Sequence, residues 1–462
     1  MNGKASTDAV ITKESFWERS FKLKENNTNV KTEVIAGITT FLTMAYIMAV
    51  NPQILSSTGM DKGALFTATC LAAGLTTILM GLYAKLPFAL ASGMGLNAFF
   101  AYSVCGAMKV PWQVAITAVL VEGIIFIILS LTKVREMVVN AIPMVLKIAV
   151  SCGIGLFIAF IGLQDAHIVI NDDATLVNLG KFNDPRVLIC CFGLIVIGVL
   201  VHKKVKGAIL WGILLSTVVS WIYALIIGTD VAAKNYGISL PSGWGKIYGV
   251  GPIACKFNWS FTSSNAAFWA FISIMLTFLF VDFFDTVGTL AGVATKADMF
   301  DSKGNVKNAD KALLVDAIGT TMGAMLGVST VTTYVESSAG VVEGGRTGLT
   351  AVVTGLLFII ALILAPLFLA IPQCATAPAL IMVGLFMMQN IVKINFEDYA
   401  DAIPAFLTII SMPLTYSIAN GLMFGIISYV LFNLFCGRRK KISPAMYVLA
   451  AIFIVRLITI AL

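Results

Sequence analysis

Apolar runs of about 17 to 25 residues, each long enough to cross a membrane as a helix, recur from residue 34 to the C-terminus of this 462-residue chain. Only 12% of the residues are charged, whereas soluble domains average roughly 25%. A membrane β-barrel would instead show short segments of alternating polarity, which the sequence lacks. The pattern therefore predicts an all-α polytopic membrane protein.

Fifteen membrane segments are predicted, with approximate ends. They lie at 34–55, 63–83, 88–105, 112–131, 142–162, 186–201, 207–227, 266–291, 311–327, 328–342, 347–371, 376–392, 402–416, 418–436 and 444–461. The stretch 402–436 is interpreted as two crossings, because two crossings place the basic cluster that begins at Arg438 on the inside. The last segment contains Arg456 and either crosses the membrane or lies in its interface.

The positive-inside rule orients the chain. With the N-terminus inside, the basic loops around Lys133, Lys204 and Lys307 are cytoplasmic, and the long loops 163–185 and 228–265 are outside. The formal net charge of +7 is explained by this orientation and does not indicate nucleic-acid binding.

Residues 1–33 mix basic and acidic groups and contain no signal-peptide core, so they are predicted to form a cytoplasmic tail. The eight cysteines show no disulfide or metal-ligand spacing. The two histidines, His167 and His202, are too few for a histidine-rich metal centre. No metal or cofactor is predicted.

Two membrane segments are unusual in the same way. FALASGMGLNAFFAYSVC at 88–105 and VSTVTTYVESSAGVV at 328–342 are short, rich in Gly, Ser and Thr, and about half a chain apart. Such paired, interrupted segments are typical of inverted-repeat transporters with a site near the midplane. Small residues also permit close helix packing without any site, but polar groups in both segments favour a site.

Two acids occur within one apolar run, FLFVDFFDTVGTL. Asp282 and Asp285 are three residues apart, so they lie on one helix face, and no Lys or Arg is within helical reach. Burial and a neighbouring carboxylate both disfavour the charged form, so one of the two can hold a proton near neutral pH. This property suits a proton-coupled carrier. The alternative is a structural role in capping a broken helix.

Other polar residues lie at similar depth. Glu336 is predicted at the start of a half-helix, where free backbone N–H groups favour an acceptor. Asn97 occupies the corresponding place after a glycine-rich turn, and Phe99 or Phe100 follows it as a candidate aromatic face, with Phe100 taken as the site residue and simple packing as the alternative. Glu122 and Asp316 are weaker candidates and are interpreted as structural, hydrogen-bonding acids.

These groups define a ligand class. Two carboxylates, an amide and few cations accept hydrogen bonds from N–H groups and repel anions. A small, planar, mostly neutral molecule with several N–H donors, such as a heterocyclic base, fits better than a phosphate, a carboxylate or a sugar.

Four motifs now define a resemblance: TTFLTMAYIMAVNP, ASGMGLNAFFAYSV, DFFDTVGTLAGVA and STVTTYVESSAGVVEGGRTGLTAVVTG. Together they resemble the azaguanine-permease-like (AzgA-like) branch of the nucleobase-cation symporter (xanthine/uracil permease) family. They run in family order over about residues 37–354, and MPLTYSIANGLMFGIISY at 412–429 continues the likeness. The resemblance implies a multi-pass protein of the cell membrane.

The resemblance implies a seven-plus-seven inverted repeat in which spans 3 and 10 each combine a short strand with a half-helix. A core domain then comprises 34–131 (spans 1–4) and 266–371 (spans 8–11), and a gate domain comprises 142–227 (spans 5–7) and 376–436 (spans 12–14). The segment 444–461 has no counterpart, so it is either an extra C-terminal helix or an error in the count.

The resemblance also implies proton symport of hypoxanthine, guanine and adenine by alternating access, with the core sliding past the gate. Matched by motif, Asp285 and Glu336 contact the base, Asn97 is the third-span amide and Thr333 adds a hydroxyl. Asp282 is either the proton site or the group that orders Asp285, so both aspartates are candidates for proton coupling. A homodimer is also implied.

Two other functions remain open from the residues alone. An anion transporter or channel of related inverted-repeat fold would be expected to place cations or neutral donors at the half-helix ends. A membrane enzyme using the DxxD pair with Mg²⁺ would usually carry further acids and basic residues near a water-facing end.

Overall fold

The computed structural model describes residues 16–131, 143–241, 243, 245–297, 299 and 306–461. Predictions that concern residues 1–15, Lys133 or the side chain of Arg456 lie outside the described part of the chain.

The first half of the described chain is helical apart from one short strand and one hairpin in a loop. Its elements are α1 (Phe16–Phe21), α2 (Val30–Met44), α3 (Ile47–Ser56), α4 (Lys62–Leu79), β1 (Leu90–Ser92), α5 (Met94–Ala98), α6 (Trp112–Leu131), α7 (Met144–Asp165), β2 (Val169–Asp172), β3 (Leu176–Leu179), α8 (Pro185–His202), α9 (Ala208–Ile227) and α10 (Thr229–Tyr236). Wider π-helical turns at Met80–Ala84 and Phe99–Ala107 continue α4 and α5.

The second half begins with the longest helix and contains one further strand. Its elements are α11 (Asn265–Ala297), α12 (Ala309–Leu326), β4 (Val331–Thr333), α13 (Ser337–Val342), α14 (Gly348–Ile360), α15 (Ala365–Leu369), α16 (Gln373–Met388), α17 (Tyr399–Leu414), α18 (Ile418–Phe435) and α19 (Pro444–Ala461). Both halves therefore contain the order long helix, short strand, short helix, long helix: α4, β1, α5 and α6 in the first, and α12, β4, α13 and α14 in the second.

Within the described ranges, nine helical segments are long and apolar enough to cross a membrane, and shorter apolar helices lie among them. The all-α polytopic fold is confirmed. The stretch 402–436 is two helices, α17 and α18, as the basic cluster after it required. The segment 444–461 is helical, and whether it crosses the membrane stays a prediction. The hairpin of β2 and β3, in the loop 163–185, has no counterpart among the sequence predictions.

The predicted first span, 34–55, differs from the structure in one important respect. Helix α2 starts earlier, at Val30, because Asn29 caps it by accepting a hydrogen bond from the Thr32 backbone N–H at 3.0 Å. The helix then breaks after Met44, and α3 resumes at Ile47. This break was not predicted, and it turns Tyr46 into the protein interior.

Strands β1 and β4 bring the two unusual segments together. They pair antiparallel, with Leu90 opposite Thr333 and Ser92 opposite Val331. Backbone hydrogen bonds extend the pairing beyond the strands, from Gly93 N to Thr330 O at 2.9 Å and from Tyr334 N to Ala89 O at 3.0 Å. Because the strands are antiparallel, α5 and α13 leave them in opposite directions. The predicted strand and half-helix in spans 3 and 10 are therefore confirmed.

Candidate functional site

The strand pair organises the candidate site, since Glu336 lies between β4 and α13, and Asn97 lies in α5 just after β1. The two acids nearest the expected ligand, Asp285 and Glu336, lie deep in the protein, yet both keep partial solvent accessibility. Their carboxyl groups are close enough to interact electrostatically.

Glu336 has a partner that sequence analysis missed. The Tyr46 hydroxyl, from the break between α2 and α3, donates a hydrogen bond to Glu336 Oε1 at 2.8 Å. A buried tyrosine hydroxyl generally requires such a partner. The available signal was a tyrosine in the middle of an apolar run, away from the membrane interfaces where tyrosines concentrate.

Asp282 and Asp285 share α11 but meet different surroundings. Asp285 is near Glu336, whereas Asp282 is completely buried and faces α6 and α12. The Thr320 hydroxyl donates to Asp282 Oδ2 at 3.2 Å, but Val331 O also lies 3.0 Å from the same hydroxyl. Asp282 Oδ1 accepts no hydrogen bond from a described donor.

Asp316, on α12, ties together the elements around the site. The Thr286 hydroxyl donates to one of its oxygens at 2.9 Å, and the Thr333 hydroxyl donates to the other at 3.1 Å. The Thr286 and Thr332 hydroxyls are also within hydrogen-bonding distance, at 2.7 Å. Asp316 therefore joins α11, α12 and β4, and it holds the Thr333 hydroxyl, a candidate ligand contact.

Asn97 lies inside a hydrogen-bond network. Its Oδ1 accepts from the Ser92 hydroxyl at 2.8 Å, and its Nδ2 donates to Asn51 Oδ1 at 2.6 Å. Asn51 in turn donates to the Thr69 hydroxyl at 2.6 Å. The network links β1 and α5 to α3 and α4, so in this arrangement Asn97 acts on the fold of the strand pair. Asn51 was also missed, although an amide in an apolar run demands a partner.

Phe100 is fully buried, and its ring centroid lies 6.4 Å from that of Phe278 in α11. Phe99 lies closer to the same ring, at 5.0 Å in an edge-to-face arrangement. These rings hold the third span against α11, one turn before Asp282.

Five carboxyl groups thus come together from α6, α11, α12 and the start of α13. They are Glu122, Asp282, Asp285, Asp316 and Glu336. Every ion pair found among the described residues joins other groups. A surface cleft of about 320 Å³ lined by Asp401, Tyr429 and Lys441 is formed by different elements. No ion pair of the described residues compensates the carboxyl cluster, so protons and a ligand that donates hydrogen bonds are the groups that can stabilise it.

Two halves of like element order, meeting at a strand pair with buried acids beside it, define an integral membrane transporter. The chain belongs to the permease family of the xanthine/uracil permeases, whose sequence model matches residues 31–424. The resemblance inferred from the motifs is confirmed, and the membrane-enzyme alternative is excluded.

Similar proteins cover nearly the whole chain. It is 46% identical to a putative permease of Methanocaldococcus jannaschii, over 96% of this chain and 98% of that protein. It is 43% identical to a guanine/hypoxanthine permease of Bacillus subtilis, over 94% of this chain and 98% of that one. It is 40% identical to an adenine permease of Escherichia coli, over 96% of each.

Solved structures share the fold at low identity. The transmembrane domain of a cyanobacterium bicarbonate transporter superposes with a TM-score of 0.60 at 14% identity, covering 86% of this chain and 97% of that domain. A murine solute carrier 26 anion transporter gives 0.59 at 9% identity, covering 94% of this chain and 74% of that one. The inverted-repeat fold predicted from the resemblance is thereby confirmed.

Proposed function

We propose that the protein imports purine nucleobases by proton symport, with Asp285 and Glu336 as the groups that bind the base. The relatives named above as adenine and guanine/hypoxanthine permeases support the substrate class. The single observation that carries the assignment is the pair of accessible acids beside the β1–β4 pair, in a cluster without an ion-paired cation among the described residues. Carboxylates accept hydrogen bonds from the N–H groups of a purine and repel an anion.

Asn97, Thr333 and Phe100 complete the proposed substrate site. In the described conformer the first two are occupied by protein partners, so contact with the base requires those bonds to be exchanged. The proton is assigned to Asp282 or Asp285. Binding of base and proton favours the same conformers, and this shared preference couples their movements.

Transport follows an elevator form of alternating access in this proposal. The core domain, 34–131 with 266–371, slides past the gate domain, 142–227 with 376–436. The strand pair joins the two halves of the core, so the site would move as one body. The protein is placed in the cell membrane with its N-terminus in the cytoplasm, and the family resemblance supports a homodimer.

The test is uptake of radiolabelled hypoxanthine, guanine, adenine and uracil into cells lacking their own base permeases, at pH 5.5 and 7.5. We expect purine uptake that is greater at pH 5.5 and absent in Asp285→Asn. The matched control is Asp230→Asn, the same change at an exposed aspartate in α10, which should transport like the native chain.

Three results would contradict this proposal in separate ways. Absence of base uptake by a chain shown to reach the membrane would refute the substrate class, and anion transport would then be measured in its place. Uptake that is independent of pH would refute proton coupling. Uptake surviving Asp285→Asn would move the essential acid to another member of the cluster.

A further inference from the structure

Glu122 is the member of the cluster for which the proposed function has no use. It is fully buried in α6, and no described donor gives a hydrogen bond to either of its carboxyl oxygens. Asp316, in contrast, has a threonine hydroxyl on each oxygen. An acid kept only for structure would be expected to have its oxygens satisfied as those of Asp316 are. Glu122 does not fit the structural role that the sequence suggested for it.

The next residue explains how Glu122 comes so close to the cluster. A Cβ at Gly123 would lie 2.6 Å from the Thr321 hydroxyl oxygen and 2.9 Å from its backbone nitrogen. Only glycine therefore allows α6 to approach α12 this closely. With the helices this close, the Glu122 carboxyl is within interaction range of the Asp282 carboxyl, whose Oδ1 also receives no hydrogen bond from a described donor.

The charged groups around this carboxyl pair are acidic. Helix α11 contributes Asp282, with Asp285 near it, and α12 contributes Asp316. The third span also packs against α6. Its Tyr102 interacts electrostatically with Asp165 and Tyr416. The ion pairs of the described residues are all made away from these groups. Two ionised carboxylates facing each other in such a place would repel strongly, since no cation of the described residues is paired with them.

We propose that Glu122 and Asp282 share one proton and that this pair carries the coupling proton. The proton comes from water on the outer side, forms an O–H bond on one carboxyl and is donated in a hydrogen bond to the other. Such a bond to an ionised acceptor is short and strong. On the inner side the O–H bond breaks and the proton returns to water. The inference rests on the proposed function and adds a second acid to its proton site.

The packing explains why the shared proton would control transport. The loaded pair carries one negative charge, and the empty pair carries two. Both acids of the pair are fully buried among α6, α11 and α12. Burial is less costly for the loaded pair, with its single charge, than for the empty pair with two. The doubly charged, empty pair is stable only if water reaches its carboxylates, and this requires the helices to move apart. Proton loss would therefore favour a different helix arrangement from proton binding.

The experiment uses the full chain in proteoliposomes loaded with hypoxanthine. Base exchange without a gradient is measured first, followed by accumulation driven by an imposed pH gradient. In Glu122→Gln the amide N–H replaces the shared proton permanently. We expect exchange within about threefold of the native rate, while the pH gradient no longer drives accumulation. Infrared difference spectra on base binding should also lose a protonated-carboxyl band.

Two further variants separate protonation from packing. Glu122→Asp keeps an acid in the shortened side chain, and it should retain accumulation driven by the pH gradient. Glu397→Gln makes the same chemical change at an exposed glutamate and should match the native protein in every assay.

The results distinguish this inference from the proposed function. Gradient-driven accumulation that persists in Glu122→Gln with an unchanged pH profile would overturn the shared proton alone. Loss of base exchange itself in Glu122→Gln would also overturn it, because the isosteric amide would then abolish transport by a route other than uncoupling the proton from the base. Failure of the native chain to accumulate hypoxanthine would overturn the proposed function itself.

Discussion

Glu336 is ordered by a neutral hydroxyl rather than by a cation. The hydrogen bond from Tyr46 fixes one of its oxygens, and none of the ion pairs of the described residues involves it. A ligand with N–H donors therefore meets an acceptor whose orientation is already set. Ordering a flexible side chain on binding costs about 0.5 to 1.5 kcal/mol, and Tyr46 removes much of this cost in advance.

Replacing Tyr46 with phenylalanine deletes the hydroxyl and keeps the ring. We expect KM for purine uptake to rise about three- to tenfold, since Glu336 must then be ordered by the base itself. The control is Tyr83→Phe, at a tyrosine that is 46% exposed. An unchanged KM in Tyr46→Phe, at normal protein levels in the membrane, would show that Tyr46 does not prepare the site.

The sequence predicts some of these residues better than others. Asp282 and Asp285 stand out because an unpaired acid within an apolar run is costly. The sequence does not show that Asp285 is partly accessible whereas Asp282 is fully buried. This difference depends on α6 and α12, which are remote in sequence and pack around Asp282. Tyr46 and Asn51 were missed because each gains its meaning from a partner on another segment. Residue type shows which groups are unusual, and tertiary packing decides what each one faces.

At the scale of elements, Glu33 joins the first span to the segment after α13. This buried glutamate accepts backbone N–H groups from Arg346 at 2.8 Å and Thr350 at 3.1 Å, and the Thr350 hydroxyl at 2.6 Å. It thus satisfies free donors at the N-terminus of α14, where a negative charge is also favoured. The sequence analysis had placed it in a tail outside the membrane segments.

Replacing Glu33 with glutamine substitutes an NH₂ group for one acceptor oxygen. The NH₂ group, a donor, then faces the backbone N–H groups that donated to that oxygen. A lost hydrogen bond to a charged group costs about 1.5 to 3 kcal/mol, so thermal unfolding in detergent should begin at a lower temperature. Glu25→Gln, at an exposed glutamate paired with Lys22, should unfold like the native protein because surface ion pairs contribute little. Equal unfolding temperatures for both variants would show that Glu33 does not hold α14 in place.

At the scale of the whole molecule, two exposed cysteines report the orientation that the basic loops predict. Cys255 lies in the long loop before α11, and Cys436 follows α18, next to the basic cluster. A membrane-impermeant maleimide should label Cys255 in intact cells and Cys436 only after permeabilisation. Cys255→Ser and Cys436→Ser identify each labelled site. The reverse pattern would mean that the chain is inserted with the opposite orientation.

Most of the architecture was predictable because each crossing needs its own apolar run, and each run is visible on its own. The positive-inside rule also resolved α17 and α18 correctly. The break in the first span was not predicted, because Tyr46 alone marks it within the apolar run and the acceptor of the hydrogen bond that holds it there lies in the second half of the chain. Local pattern determines crossings, whereas the interruptions depend on segments far away in the chain.

The strand pair sets an order of events during synthesis. Strand β1 is made long before β4, and more than two hundred residues separate them. Until β4 arrives, the backbone N–H and C=O groups of β1 have no strand to bond with, and lipid supplies neither donors nor acceptors to replace it. Within the first half, the Thr77 hydroxyl can satisfy the backbone N–H and C=O of Leu90, but the pairing of β1 is complete only when β4 is delivered. The candidate site therefore forms only after the tenth span is made.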